Sequence, residues 1–367
     1  MLTVDDARAR ILDEARPLGI ETVALADARG RVLAGDLVAR RTQPPQAMSA
    51  MDGWALRTGD LAAGRTEFHV VGVSRAGSGF TGMVDAGQTA RIFTGAPVPD
   101  GADIVVIQED THVAAHDDDG QPLRMALTDR VEPVAGANIR PAGIDFATGA
   151  VGLQAGRVMD ARAIALAAAM GHPWLQVIRQ PRVGVLATGD ELVRPGEPMG
   201  PDTIVDAVTP ALMALIQDAG AVPVDLGIAP DGEQKIAMRP GKPLMYGRMG
   251  GMPVLGLPGN PVSAFICSWL FALPLIDRLA GRTPRDPAPA RLPLAAPVAQ
   301  NTMRQHYMRA RLQTDADGHQ TVLPVRDQDS SLLSALADAD ALILRRPHAP
   351  AAEPGTEVEV LRLSPMG

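Results

Sequence analysis

At 367 residues the chain exceeds one ordinary core, so two to four domains are expected, and 46% hydrophobic against 21% charged residues is the balance of a soluble globular protein. The net charge of −8 argues against non-specific nucleic-acid binding, which needs a strong positive field, and the single Cys267 excludes an internal disulfide framework and fits a reducing cytosol. The N-terminus carries Asp5, Asp6 and Glu14 without the apolar run of a signal peptide, and the longest largely apolar stretch, Cys267 to Ile276, contains Pro274 and is short for a bilayer, so no membrane partner is expected.

Thr3 is placed to cap a helix running to about Arg16, with acid in its first turn. Thr22 to Val38 reads as an extended segment broken at Arg29-Gly30. RTQPPQAMSAMDGWAL comes next, a proline-rich linker and then a turn at Met51-Asp52-Gly53 that begins a new unit. Short β-like runs then alternate with turns to about residue 140: Glu67 to Val73, Gln88 to Phe93, Asp103 to Gln108 and Met125 to Thr128. His112 and His116 are four apart, but Asp117-Asp118-Asp119-Gly120 behind them marks a solvated hairpin tip rather than a metal site. Asp160 to Met170 is an alanine-rich helix, with Asp160 as N-cap and Gly171 past its end. It is expected to pack back on the N-terminal helix, which makes the β unit an insertion.

The stretch Pro181 to Asp206 organises the second half of the chain. Val183-Gly184-Val185-Leu186-Ala187 is an apolar run without alternation, the pattern of a strand buried on both faces of a parallel sheet. Thr188-Gly189-Asp190-Glu191 stands at its carboxyl end, where open α/β sheets place their ligands. Asp206 caps a helix from Ala207 to Ala219, and Val222 to Ile228 is a second strand leading to Asp231. Met252 to Leu257 is a third strand, and Pro258-Gly259-Asn260-Pro261 starts a long apolar helix to Leu279, kinked near Pro274, with Asn260 as N-cap and Pro261 at its first position. Main-chain N–H groups at such a helix start suit an anion. Cys267 lies inside that helix as a buried, inert thiol.

Only two of the 34 basic residues are lysines, Lys235 and Lys242, both within KIAMRPGK. A compact ammonium retained in an arginine-rich chain points to an oxyanion contact. Thr283 to Pro293 is a proline-rich linker, and Leu294 to Leu363 has the strand-and-turn pattern of a small β-barrel-like domain.

Taken together, SAMDGWA (Ser49 to Ala55), FTGAPVPDGAD (Phe93 to Asp103), NIRPAGID (Asn138 to Asp145), VGVLATGDEL (Val183 to Leu192), MRPGKP (Met238 to Pro243) and GLPGNPVSA (Gly256 to Ala264) resemble the molybdopterin molybdenumtransferases, the MoeA and gephyrin E-domain family. Tyr307-Met308-Arg309 and Gln328-Asp329-Ser330-Ser331 extend the resemblance to nearly the whole chain. It implies a multidomain α/β plus β fold: a helical N-terminal domain (residues 1–45 and 141–179) with an inserted β domain (46–140), an α/β molybdopterin-binding domain (180–283) and a C-terminal β domain (284–367). It also implies a cytoplasmic homodimer that inserts molybdenum from molybdate into adenylylated molybdopterin, releasing AMP with the help of Mg²⁺. Molybdopterin adenylyltransferase and molybdoenzyme-maturation proteins are the implied partners. The implied site lies in a cleft between the α/β and C-terminal domains of one subunit and the β insertion of the other.

Residue by residue, the resemblance makes Asp52, Glu191, Asp231 and Lys242 catalytic candidates, and Glu191, Asp206 and Asp231 ligands for the cation. Thr94, Arg140, Asp145, Asp190, Arg239, Pro258, Asn260, Pro261, Ser263, Arg309, Ser330 and Ser331 are candidate substrate contacts. Pyrophosphate cleavage needs a hard cation on oxygen ligands and positive groups against the developing charge, which these residue types supply.

The chain departs from the family after LGIAPDG, where a helix, a buried strand, a serine- and glycine-rich turn and another helix are expected before PGKP. Here Asp231-Gly232 runs almost directly into Glu233-Gln234-Lys235. Three accounts stand side by side. The sequence joins two ends across residues it omits; or the shortening is real and the chain is a catalytically inactive dimeric scaffold or binding relative; or it is an enzyme with a smaller sheet. Removal of a central strand and its covering helices should expose apolar faces on the neighbours.

Overall fold

The structure, a computed structural model, describes residues 3–230, 244–286 and 288–363. Two compact units are present: Met1–Glu21, Gly30–Ala34 and Gln176–Gly367 form one, and Thr22–Arg29 with Gly35–Leu175 form the other. The first unit begins with helix α1 (Val4–Glu14), where Thr3 Oγ1 accepts the Asp6 N–H at 3.1 Å as the cap residue predicts. α1 buries Ile11 against Leu270, Phe271, Leu275, Leu342 and Leu361.

The second unit is built on strands β1 (Gly53–Leu56), β2 (Glu67–Ser74), β3 (Gln88–Ile92), β4 (Ile104–Ile107), β5 (Thr111–His116) and β6 (Pro122–Leu127). They form one six-stranded sheet in the order β4-β1-β3-β2-β6-β5. One face packs Trp54, Leu56, Phe68, Ile104, Val106 and Met125 into a core, and the other packs Ala55, Ile92, Ala96 and Val105. β1 is central and closely flanked: a Cβ on Gly53 would fall 2.0 Å from Val106 O, so only glycine fits there. His112 and His116 are exposed on β5, ahead of a turn in which Asp117 Oδ1 accepts the N–H groups of Asp119 and Gln121.

Helix α2 (Ala161–Ala169) is capped by Asp160, whose Oδ1 accepts the Ala163 N–H at 2.8 Å. It belongs to this second unit, whereas α1 belongs to the first. Within its own unit α1 takes its apolar contacts from the later helices and the C-terminal sheet.

The α/β part of the first unit contains β7 (Arg182–Thr188), β8 (Leu192–Val193), β9 (Ile204–Val205), α3 (Val208–Asp218) and β10 (Val222–Ala229). β7 and β10 pair in parallel, and α3 covers one face of that pair with Leu212 and Ile216 packed on Val185. The other face is open, with Leu186 53% and Leu226 58% exposed. The prediction that β7 is buried on both faces is thus corrected. The described residues supply no second layer over it.

Met252 to Leu257 also differs from expectation. β11 (Met245–Met249) and β12 (Met252–Gly256) form an antiparallel hairpin of their own, turned at Gly250-Gly251, rather than adding a parallel strand to β7. The long helix runs as α4 (Pro261–Cys267), a π-helical turn (Ser268–Ala272) and α5 (Leu273–Leu279). The kink predicted at Pro274 is absorbed as that wide turn, which accommodates a ring without an N–H donor. At 19 residues Pro261–Leu279 is long and apolar enough to cross a membrane by length and composition, more than its Cys267–Ile276 stretch suggested. Its buried residues, Leu270 and Phe271 on one side and Leu273 and Ile276 on another, serve two cores of this unit. Burial pushes the Cys267 thiol up to about 11, which keeps it protonated at neutral pH.

The C-terminal strands β13 (Ala290–Pro293), β14 (His306–Thr314), β15 (Gln320–Pro324), β16 (Ala341–Arg345) and β17 (Glu357–Arg362) order as β13-β17-β16-β14-β15. The sheet curls until its edges meet, Leu294 bridging to Val322 and the Ala295 N–H donating to Val322 O at 2.9 Å. This near-barrel agrees with the strand-and-turn pattern of the sequence.

Candidate functional site

In the second unit the antiparallel β1–β3 register sets Gly53 opposite Ile92 and Trp54 opposite Arg91. One step further Asp52 faces Phe93, so Asp52, Trp54, Arg91 and Phe93 share a face of the sheet. Asp52 Oδ1 accepts from the Thr94 amide at 2.7 Å and from the Thr94 hydroxyl at 2.8 Å. These bonds, with the Arg91 charge adding to them, hold the Asp52 carboxyl below the usual carboxylate range.

Main-chain bonds bring three motifs together there. The Ser49 N–H donates to Ala96 O and the Gly95 N–H to Ser49 O, both at 2.9 Å, and the Ala50 N–H donates to Asn138 O at 2.8 Å. Arg140 is exposed on the adjoining ladder, opposite Met48. Asp145 is not drawn in: its N–H donates to Gln43 O at 3.1 Å, which ties it to the proline-rich linker.

In the first unit the Gly189 N–H donates to Ala229 O at 3.2 Å, fixing the turn after β7 against the end of β10. Gly189 has φ of 155°, and a Cβ there would lie 2.6 Å from Glu191 Oε2, so the Glu191 carboxylate curls back over the glycine. Asp190 and Glu191 are both exposed. Glu191 and Asp206 flank the short parallel β8–β9 ladder, with the Ile204 N–H donating to Glu191 O at 2.8 Å and the Asp206 N–H to Val193 O at 2.9 Å. Asp206 is buried, and its Oδ1 accepts the N–H groups of Val208 and Thr209 at 3.0 Å each, so capping α3 is a role it demonstrably has.

At the start of α4, Asn260 has the extended backbone of a cap residue, but its side chain makes no capping bond. Its Oδ1 is buried without a hydrogen-bond partner among the described residues. Pro261 stands in the first turn as predicted, and Pro258 and Ser263 are half-buried.

Arg309, expected as an anion contact, is held by main-chain carbonyls in the structure. Its side chain is 1% exposed, and the guanidinium donates to the carbonyls of Leu332 (2.9 Å), Asp329 (2.8 Å) and Asp327 (3.2 Å). It frames the loop that carries Ser330 and Ser331. Ser331 donates its hydroxyl to Asp329 Oδ1 at 2.8 Å, and Ser330 is half-buried.

Asp231, Lys235, Arg239 and Lys242 lie outside the described residues, as does the junction where the shortening falls. Among the described residues, Asp315, Asp317 and His319 bring ligand atoms within 4.8 Å of one another. That cluster is an exposed hairpin turn whose Asp315 Oδ1 accepts the Asp317 and His319 N–H groups. No third described carboxylate or imidazole joins Glu191 and Asp206 in such a group. Arg91, Phe93, Trp54 and Gln108 were not singled out from sequence. Their matching parity in Met51-Asp52-Gly53-Trp54 and Arg91-Ile92-Phe93-Thr94 is the signal that could have found them.

The α/β and near-barrel parts, together with a β unit whose separate motifs converge on Asp52 and Thr94, make a multidomain α/β plus β protein. The family model for the MoeA N-terminal region (domain I and II) matches residues 2–171, and that for the MoeA C-terminal region (domain IV) matches residues 291–363. A Haemophilus influenzae molybdopterin molybdenumtransferase is 30% identical over 393 residues, covering 94% of each chain, and a Mycobacterium tuberculosis molybdopterin molybdenumtransferase 2 is 32% identical, covering 91% of this chain and 92% of its own. A molybdopterin biosynthesis MoeA protein from Pyrococcus horikoshii superposes with a TM-score of 0.83 at 25% identity over 99% of both chains. The chain belongs to the MoeA family. A second Mycobacterium tuberculosis relative, molybdopterin molybdenumtransferase 1, aligns over 438 residues that cover all of both chains, so a sizeable stretch of it has no counterpart in these 367.

Proposed function

We propose that the protein acts in molybdenum cofactor biosynthesis as a molybdopterin molybdenumtransferase, taking molybdenum from molybdate into adenylylated molybdopterin with release of AMP. The observation that carries this reading is the Asp52–Thr94 contact, because three otherwise separate motifs are folded together to hold one ionised, half-buried carboxylate. Asp52 accepts a hydrogen bond from the water that attacks the pyrophosphate. The Ser330–Ser331 loop, shaped by Arg309, and the turn at Asn260 receive oxyanion and phosphate oxygens. Mg²⁺ takes one or two carboxylates from a protein and completes its shell with water and phosphate. Glu191 and Asp206 are the described carboxylates that would hold it, and it would supply positive charge against the pyrophosphate. A cytoplasmic homodimer belongs to the same reading.

A second reading is favoured by the open face of β7 and β10: the chain is a dimeric binding relative without catalysis. Purified protein incubated with adenylylated molybdopterin, molybdate and Mg²⁺ separates the two. AMP release dependent on all three supports the enzyme. Binding of the nucleotide without AMP release, or no binding at all, overturns it.

A further inference from the structure

Gln328 stands just ahead of Ser330 and Ser331, and nothing in the proposed reaction yet uses it. β15 ends at Pro324, opposite Ala310 of β14, and the Val325 N–H adds one more main-chain rung by donating to Arg309 O at 2.9 Å. In an unbroken antiparallel ladder the Arg309 N–H would return that bond to Val325 O. Here the Gln328 carboxamide stands between the two: its Oε1 accepts the Arg309 N–H at 2.9 Å, and its Nε2 donates to Val325 O at 2.8 Å and to Arg309 O at 2.9 Å. A carboxamide has the donor and acceptor of a peptide unit, so it can stand in for one. Arg309 meets the same stretch from its other end, through the bonds of its guanidinium to the carbonyls of Asp327, Asp329 and Leu332. One residue of β14 therefore holds the loop by its main chain and its side chain together. The hold passes on within the loop, where Asp329 Oδ1 accepts both the N–H and the hydroxyl of Ser331 at 2.8 Å. Glutamate at 328 would keep the acceptor for Arg309 N–H but set a carboxylate against two carbonyls, and methionine would fill the space with no strong donor or acceptor.

We propose that Gln328 is a positioning residue for the Ser330–Ser331 loop: its carboxamide splices into the end of the β14–β15 ladder and so sets how the two serines are presented to an anionic substrate. The presentation to substrate rests on the reaction proposed above, but the splice between Gln328 and Arg309 does not.

The test compares Q328M, which keeps the bulk of the side chain and loses its hydrogen bonds, with I343V, a truncation at a fully buried position in the core of the same sheet. In amide hydrogen exchange on the full chain, Q328M should speed exchange at Arg309 and Ser331 about tenfold, the scale of one net hydrogen bond. I343V should leave those two amides in step with the rest of the sheet. Q328E, which keeps only the acceptor, should expose Ser331 as Q328M does and replaces it if that variant does not fold. Exchange at Ser331 unchanged in Q328M and Q328E overturns the proposal. In the AMP-release assay Q328M should raise KM for molybdate about tenfold with kcat little changed, the signature of lost binding, while I343V should leave KM where it was. Equal rises of KM in Q328M and I343V would reduce Gln328 to a stabilising residue and overturn its positioning role. A protein that releases no AMP removes that kinetic arm together with the proposed reaction, while the exchange still decides whether Gln328 sets the loop.

Discussion

The guanidinium of Arg309 donates 2.8 Å to the main-chain carbonyl of Asp329, two residues before Ser331. With the bonds to Leu332 and Asp327 it ties down a loop that has little regular structure of its own. A lysine cannot reproduce this planar fork, and a buried carbonyl left unpaired costs about 1–3 kcal/mol. R309K should therefore lower the melting temperature and speed amide hydrogen exchange across residues 328–332. A raised KM with unchanged melting and exchange would instead show an arginine that touches substrate.

Asp277 is the second buried polar hub, with its carboxylate side chain 4% exposed. Oδ1 accepts from Arg282 Nε at 2.9 Å, and Oδ2 accepts from Arg285 Nε at 2.6 Å and from the Arg285 N–H at 3.0 Å. Burial alone raises its pKa, but the bonds from Arg285 and Arg282 outweigh burial, and the net shift is downward. A depressed pKa contributes stability that is complete above the unfolded value of about 3.9 and is lost as pH falls through the folded value. D277N should cost about 3 kcal/mol at neutral pH, the scale for breaking one side of a buried pair. Its deficit should shrink below about pH 4. Melting curves from pH 7 to pH 2.5 check this, and a deficit that stays constant with pH would place the effect in packing.

Much of the architecture was readable from residues because local chemistry and tertiary context agree. Thr3 and Asp160 cap the helices that they announce, Pro261 begins the long helix, and the alternating C-terminal runs curl into a near-barrel. The misses arise where long-range contacts decide. No local signal tells α1 that its apolar stripe meets Leu342 and Leu361. A run such as Val183 to Ala187 reads as doubly buried whether or not the covering layer exists. At the site, Asp52 and Thr94 were named through their motifs, whereas Arg91 was not, because its meaning comes from the register with Trp54. The carbonyl bonds of Arg309 were not legible for a related reason: an arginine beside serines suits an anion or a loop equally well until burial is known.

The Thr94 hydroxyl gives a pH prediction with a defined sign. Thr94 bonds are the leading cause of the low Asp52 pKa, and T94A removes the side-chain bond while leaving the N–H bond. Asp52 should then hold its proton to higher pH, so the acid limb of AMP release moves upward, and T94S should restore it. A limb unmoved in T94A would mean that another group sets it.

The open side of β7 and β10 separates the readings of the shortened domain. A Cβ on Gly184 would lie 2.7 Å from Leu226 Cδ1, so Leu226 lies over that glycine while remaining 58% exposed. On the opposite side Leu212 is buried against Val185 and Ile216. If the open face meets water, L226Q should change stability by no more than about 0.5 kcal/mol and should reduce binding of a hydrophobic dye. L212A should cost about 2–5 kcal/mol as a buried truncation. Urea unfolding of both variants beside the unmodified chain makes the comparison. A cost for L226Q as large as that for L212A would mean that other protein covers this face, as it must in a molecule that regains the missing layer or supplies it from a second copy.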